Sequence, residues 1–181
     1  VERDDAERKL SMSIARSDTR EIEALVALSS RIGTNPQLVQ GAGGNTSLKK
    51  DGVLWIKASG KWLAHAATDD IMVPVAMGPL LSALHKNDPS AEKAQQFVVS
   101  KLNSMGLRPS IETTVHALFR QRVVIHVHCV DTISIAVRLD AAAIVKDLLG
   151  ETRATFVPYA RPGLPLAQAL KSAMNSRTDV A

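Results

Sequence analysis

The chain is poor in cysteine: Cys129 stands alone among 181 residues, which excludes an internal disulfide. It is poor in aromatics as well, with two tryptophans, one tyrosine and three phenylalanines, too thin a supply for a base-stacking platform. No apolar run approaches the length that crosses a bilayer. The opening residues, Val1-Glu2-Arg3-Asp4-Asp5, are polar and charged, unlike a secretory signal. These features point to a reducing, cytoplasmic setting with no membrane partner. Lysine and arginine never run longer than two, so the net charge of +4 is scattered over the chain. Such a balance suits a small anion, for instance a phosphate ester, and nucleic acid is not expected as a partner.

What is present is an ordinary globular composition, 45% apolar and 22% charged, in a length suited to one domain. Residues 1–16 carry mixed charge without a period and read as a flexible or artificially appended lead-in; residues 17–181 read as the domain. Asp18-Thr19-Arg20-Glu21 resembles a capping box, and Ile22, Leu25, Val26, Ser29 and Ile32 then share one helical face up to Gly33. A hairpin is predicted from Asn45–Lys49 and Val53–Ala58, turned by Asp51-Gly52. Further strands are predicted at Ile71–Val75, Val123–Val130 and Arg153–Val157. Helices are predicted at Pro79–Leu84, Ala91–Met105, after Pro109 with Ser110 as cap, at Asp140–Leu149 and at Leu164–Met174. Interleaved strands and helices, with a tight hairpin among them, predict an α/β fold whose sheet is at least partly antiparallel.

Val124-Ile125-His126-Val127-His128-Cys129-Val130 carries the sharpest chemical signal. Strand side chains alternate faces, so His126 and His128 are expected on one side, able to converge on a metal ion, with Ile125, Val127 and Cys129 turned to the core. The spacing alone also fits two histidines bonded to backbone or water. Gln40-Gly41-Ala42-Gly43-Gly44-Asn45-Thr46-Ser47 has glycines that let backbone N–H groups approach an anion, yet it is neither a Walker loop nor a dinucleotide fingerprint. Lys57-Ala58-Ser59-Gly60-Lys61 adds two lysines and a hydroxyl. Glu112 falls in the first turn of its predicted helix, where the dipole favours a carboxylate, and His116 lies one turn on. Each of these, taken alone, is equally an ordinary loop or helix start. His65 and His85 lack ligand-spaced partners and read as surface or core residues, and Cys129 reads as a small core hydrophobe.

Taken in order, Gly44-Asn45-Thr46-Ser47, Ser59-Gly60, Pro109-Ser110-x-Glu112-x-x-x-His116, His126-x-His128 and Pro158-Tyr159-x-x-Pro162-Gly163 resemble the class II aldolase and adducin head family. The likeness runs from about residue 20 to the end of the chain and is strongest to the fuculose- and rhamnulose-phosphate aldolases. It implies a three-layer αβα sandwich with a mainly antiparallel central sheet, and a homotetramer with a zinc-type site near a subunit boundary. It implies that Asn45, Ser59, Gly60 and Ser110 grip a substrate phosphate. His126 and His128 would then hold Zn2+ or another divalent metal, with Glu112 as the proton-transfer residue. The activity implied is a lyase that cleaves a ketose 1-phosphate to dihydroxyacetone phosphate and an aldehyde. Epimerisation, dehydration and decarboxylation of sugar phosphates are sister chemistries of the same family, and an adducin-like scaffold is the non-catalytic alternative.

Two family landmarks have no counterpart. A third histidine ligand, which in the family follows the Pro-Tyr-x-x-Pro-Gly stretch and a helix, is missing, as is a catalytic tyrosine of the aldolase branch. The resemblance therefore implies a chain lacking the C-terminal part of the domain, with Asn175 to Ala181 as the turn into a further strand and a metal site short of one ligand.

Overall fold

Asp51 and Gly52 both take positive φ, 49° and 75°, the conformation that a two-residue hairpin turn requires. In the computed structural model, which describes residues 20–175, this turn joins strand β1 (Asn45–Lys50) to β2 (Val53–Lys57), with Lys50 opposite Val53. Strand β3 (Met72–Ala76) pairs with β2, and β4 (Val123–His126) pairs with the other side of β1. The four strands lie in the order β3-β2-β1-β4, every pairing antiparallel.

Alternation along the strands then divides the core in two. Leu54, Ile56, Val73 and Val75 bury one face against helix α2 (Met77–His85), α3 (Thr113–Leu118) and α6 (Leu164–Asn175), through Leu80, Leu84, Val115 and Ala167. Leu48, Trp55 and Met72 face the other way and meet Leu25 of α1 (residues 20–33) together with Val39 and Leu63. Helices thus cover both faces of the sheet, the predicted three layers. Each fully buried aliphatic side chain contributes about 1.5–3 kcal/mol. The apolar face of α1 is as predicted, while the capping box at Asp18, the lead-in and residues 176–181 lie outside the described residues. Helix α1 does end at Gly33, although not through a left-handed cap. A side chain there would lie 2.1 Å from the Ala64 backbone nitrogen, so Gly33 lets the Leu63–Ala64 backbone pack against the helix end.

Four local predictions need correction. Ala91–Met105 is not one helix but short 3-10 turns at Pro89–Glu92, Ala94–Phe97 and Ser100–Leu102. Here the backbone bonds to the sheet, with Val98 bridging Val75 and the Val99 N–H donating to the Pro74 carbonyl at 2.9 Å. The strand from Val123 stops at His126, because its partner β1 begins at Asn45 and Gly44 turns away with φ 66°. Beyond it, His128 N–H and Val130 N–H donate to the Leu38 and Gln37 carbonyls, and helix α4 (Val130–Ala136) follows. No strand forms at Arg153–Val157; helix α5 (Ala141–Arg153) runs in, kinked at Gly150, and residues 154–160 are irregular. Lastly, Glu112 rather than Ser110 stands at the N-cap position of α3, and the Ser110 hydroxyl accepts from the Glu112 N–H at 3.2 Å.

The two margins of the sheet differ. Along β3, Pro74 has no N–H to offer and its carbonyl is taken by Val99. Along β4, β1 is the one paired strand among the described residues, and Val123 and Ile125 are 43% and 47% exposed. Ile125, expected in the core, is therefore at the surface. No helix among the described residues is long and apolar enough to cross a membrane.

Candidate functional site

The β1–β4 register sets Asn45 directly opposite His126, so both side chains leave the same face of the sheet. Glu112, at the cap of α3, reaches into that gap. Its Oε2 lies 2.7 Å from His126 Nδ1 and accepts from the Asn45 amide at 2.5 Å. The Asn45 nitrogen is 3.3 Å from His126 Nδ1, closing a triangle of carboxylate, amide and imidazole. The Glu112 side chain is mostly buried. Burial pushes its carboxyl up, but the bond to His126 and the neighbouring imidazoles outweigh this and hold it below the usual carboxylate range. Glu112 is thus an anion at neutral pH, oriented by two partners.

The His128 ring lies beside His126, centroids 5.0 Å apart and planes at 62°. The two imidazoles come together as expected from the spacing, yet the ladder holds only His126. The loop of residues 37–38 holds the His128 backbone, and Gly43 admits its ring: a side chain at Gly43 would lie 2.7 Å from His128 Nδ1. Burial, then the charge of His126, lower the His128 pKa and favour the neutral, ligating imidazole. His126 Nδ1 faces Glu112 and Asn45, which leaves Nε2 as the nitrogen that could bind a metal. Two imidazoles beside a carboxylate are donors that suit a divalent cation of the zinc type. Among the described residues, no three His, Cys, Asp or Glu side chains stand grouped to hold one.

Of the residues expected to bind phosphate, the Ser59-Gly60 and Ser110 segments are drawn together through the backbone. Ala58 bridges Pro109, the Ser59 N–H donates to the Arg108 carbonyl at 2.8 Å, and the Ser110 N–H donates to the Lys57 carbonyl at 3.2 Å. Ser110 is buried and joined to Glu112, and Asn45 reaches the same carboxylate. Ser59 and Gly60 are exposed in the turn beside them, Gly60 at φ 75°, and make no bond to Asn45 or Glu112. Behind the triangle, a cavity of about 750 Å³ opens between β4 and α6, lined by His116, Val124, Leu166 and Met174 besides Glu112 and His126.

Three further residues, present in the motifs but given no individual site role from the sequence, lie at the site. His116 is fully buried, with Nδ1 2.8 Å from the Ser47 hydroxyl and Nε2 unpartnered among the described residues. Burial, followed by the nearby His126, pushes its pKa down to about 3, so it stays neutral. Lys57, 2% exposed, donates to the carbonyls of Ala42 and Lys61. Gly43 is the third, through its contact with His128. Each is readable as a residue within its motif, while its burial and contacts are set by segments distant in the chain. His65 and His85 are exposed, the former stacked on Trp62. Cys129 is half-buried at the start of α4, not a core residue, and hydrogen bonds from Thr132 hold its thiol below the usual range.

The family model for the class II aldolase and adducin N-terminal domain matches residues 23–181. The chain belongs to that family. A class II aldolase domain of known structure, the N-terminal domain of a conserved protein from Thermoplasma acidophilum, superposes with a TM-score of 0.68 at 30% identity. The match covers 85% of this chain and 74% of that one. Among curated proteins, the uncharacterized oxidoreductase YuxG of Bacillus subtilis (strain 168) is 31% identical over 157 residues, 81% of this chain. The match spans only 22% of the length of YuxG. The class II aldolase fold, with mixed helices and an antiparallel sheet, is thus common to this chain and its structural neighbour.

Proposed function

We propose that this class II aldolase domain is a metal-dependent lyase that cleaves a ketose 1-phosphate to dihydroxyacetone phosphate and an aldehyde. The observation that carries the reading is the Glu112 carboxylate, ionised and held between Asn45 and His126 with the His128 ring alongside. Such a carboxylate is placed to move a proton at a carbon bound next to the imidazoles. Held by His126 and His128, a divalent metal would polarise the ketose carbonyl and so ease loss of the electron pair from the breaking carbon–carbon bond. In the cleavage direction the Glu112 carboxylate would take up, directly or through water, the proton released by the hydroxyl that becomes the aldehyde, and deliver it to the carbon left with that pair; in condensation both transfers run in reverse. The Asn45 amide fixes the carboxylate while this occurs. Asn45, Ser59, Gly60 and Ser110 would bind the phosphate and set the substrate against Glu112. In this reading the working protein is a cytoplasmic homotetramer.

The test is a retro-aldol screen over ketose 1-phosphates with added zinc, cobalt or manganese, read by release of dihydroxyacetone phosphate. Turnover that needs both metal and Glu112 supports the reading. Metal binding without cleavage of any ketose phosphate moves it to the epimerase, dehydratase or decarboxylase branches. The adducin-like scaffold is favoured by one observation, the pair of imidazoles without a third grouped ligand among the described residues. Failure to bind any divalent metal would make the scaffold the better account.

A further inference from the structure

Helix α3 has six residues, too few to hold a helix without outside contacts. Val115 and Ala117 bury in the core, but apolar contacts are non-directional and set no exact rotation or height. Directional bonds come from β1. Alternation puts Asn45 and Ser47 on one face of that strand, about 6.8 Å apart. Glu112 and His116 lie one turn apart, about 6 Å along the helix axis. The His116 N–H donates to the Glu112 carbonyl at 3.1 Å. The two spacings nearly match, and both pairs close: Asn45 on Glu112 at 2.5 Å, and the Ser47 hydroxyl with His116 Nδ1 at 2.8 Å. The helix is thus laid on the strand by two rungs.

The second rung carries a cost that an apolar pair would not. Ser47 and His116 are both fully buried, and His116 Nε2 has no partner among the described residues. A phenylalanine would fill the same space without burying an orphan nitrogen. What the imidazole adds is a bond of defined length and direction that water does not contest. One rung would leave α3 free to pivot about Asn45, whereas two fix its rotation and height together. The tolerance is small. Glu112 Oε2 lies 2.7 Å from His126 Nδ1, and a displacement of about 1 Å would exceed hydrogen-bond range.

We propose that Ser47 and His116 are positioning residues for Glu112, forming the buried rung that keeps its carboxylate in register with His126. Their bearing on catalysis rests on the reading of Glu112 as the proton-transfer residue given above.

The experiment compares the wild-type chain with the double variant Ser47→Ala with His116→Phe, with Ser47→Ala alone, and with Glu112→Ala as the reference for a lost carboxylate. Histidine ring nitrogens are read by heteronuclear NMR at neutral pH without metal or substrate, alongside thermal unfolding and retro-aldol turnover with zinc. In the wild type the bond to Glu112 should hold the His126 proton on Nδ1. Replacing both buried partners by apolar groups leaves neither one unpaired, so the double variant should unfold near the wild-type Tm. Its His126 should nevertheless lose the Nδ1–H form, as in Glu112→Ala, and any turnover shown by the wild type should fall about 10²-fold. Ser47→Ala should give the same change of tautomer at a lower Tm. A wild-type ring pattern in a folded double variant would overturn the proposal and leave the pair as core packing. So would a wild type whose His126 already matches Glu112→Ala, or failure of both rung variants to fold, which would make the rung a need of the fold alone. The ring pattern does not depend on catalysis. A wild type that cleaves no ketose phosphate ends the lyase reading, and the tautomer then decides the positioning role by itself.

Discussion

Gly43→Ala isolates the contact between the glycine loop and His128. Gly43 is not among the residues with positive φ, so alanine meets no backbone strain there and the effect is steric. The added methyl would lie 2.7 Å from His128 Nδ1, 3.0 Å from its Cε1 and 3.0 Å from the Gln40 carbonyl oxygen. Ordinary contact needs roughly 3.5–4.0 Å, so close to an ångström must be found. The Gln40 carbonyl accepts from the Gly43 N–H in a tight turn and yields little, whereas the His128 ring is half-exposed and can swing. The ring therefore moves. Overpacking of this kind costs about 1–3 kcal/mol, and the lower end applies because the ring escapes toward solvent. For a chain of this length that is a fall in Tm of about 2–4 °C. Loss of alignment between His126 and His128 should weaken zinc binding by about 10–100-fold, the range typical when the support of a ligand is removed. Competition against a chromophoric chelator, with thermal unfolding in metal-free buffer, reads the two effects separately. Unchanged zinc affinity with a lowered Tm would refute the idea that Gly43 sets the position of a ligand.

The same geometry sets four other expectations. Glu112→Gln should retain zinc and phosphate affinity while turnover in the retro-aldol assay falls by about 10²–10⁴-fold, since an amide accepts no proton; near-normal turnover would move proton transfer to another group. Between about pH 3 and 6.5 the unfolded chain binds a proton on His116 that the folded chain refuses. Stability should therefore rise with pH through that window, by up to about 4–5 kcal/mol, and level off above it, as urea midpoints would show. Ser47→Ala removes the Nδ1 partner of that buried ring and should cost about 1–3 kcal/mol in urea unfolding at pH 7, where a change under about 0.5 kcal/mol would argue against the bond. Leu54→Ala, at a fully buried position between β2 and the α2–α3 layer, should cost about 2–5 kcal/mol in the same assay.

The parts of the fold legible in sequence were those decided locally. Asp51-Gly52 specifies its turn by φ alone, and the apolar spacing of α1 and α6 needs no distant partner. Ala91–Met105 was misread because its backbone bonds go to Pro74 and Val75, a choice made by the sheet margin and invisible in the segment itself. The histidine pair was found by strand alternation, yet alternation accounts only for His126. The position of His128 depends on residues 37–43, far away in the chain, and nothing within the β4 segment encodes that. Lys57 was visible as a residue type, but its burial follows from which carbonyls the two loops turn inward.

The unequal sheet margins give this sheet a direction of growth. Pro74 and the segment crossing it seal the β3 side, so any strand that extends the sheet, from the same polypeptide or another, must join beyond β4. A strand laid there would run past His126 and along the mouth of the cavity beside Glu112. Whatever lengthens the sheet would thus also wall the site, and the dry surroundings that make a buried carboxylate and a bound cation effective would arrive with it. Closure of the candidate site and extension of the sheet would then be a single cooperative event, with an unextended sheet leaving Glu112 and His126 open to water.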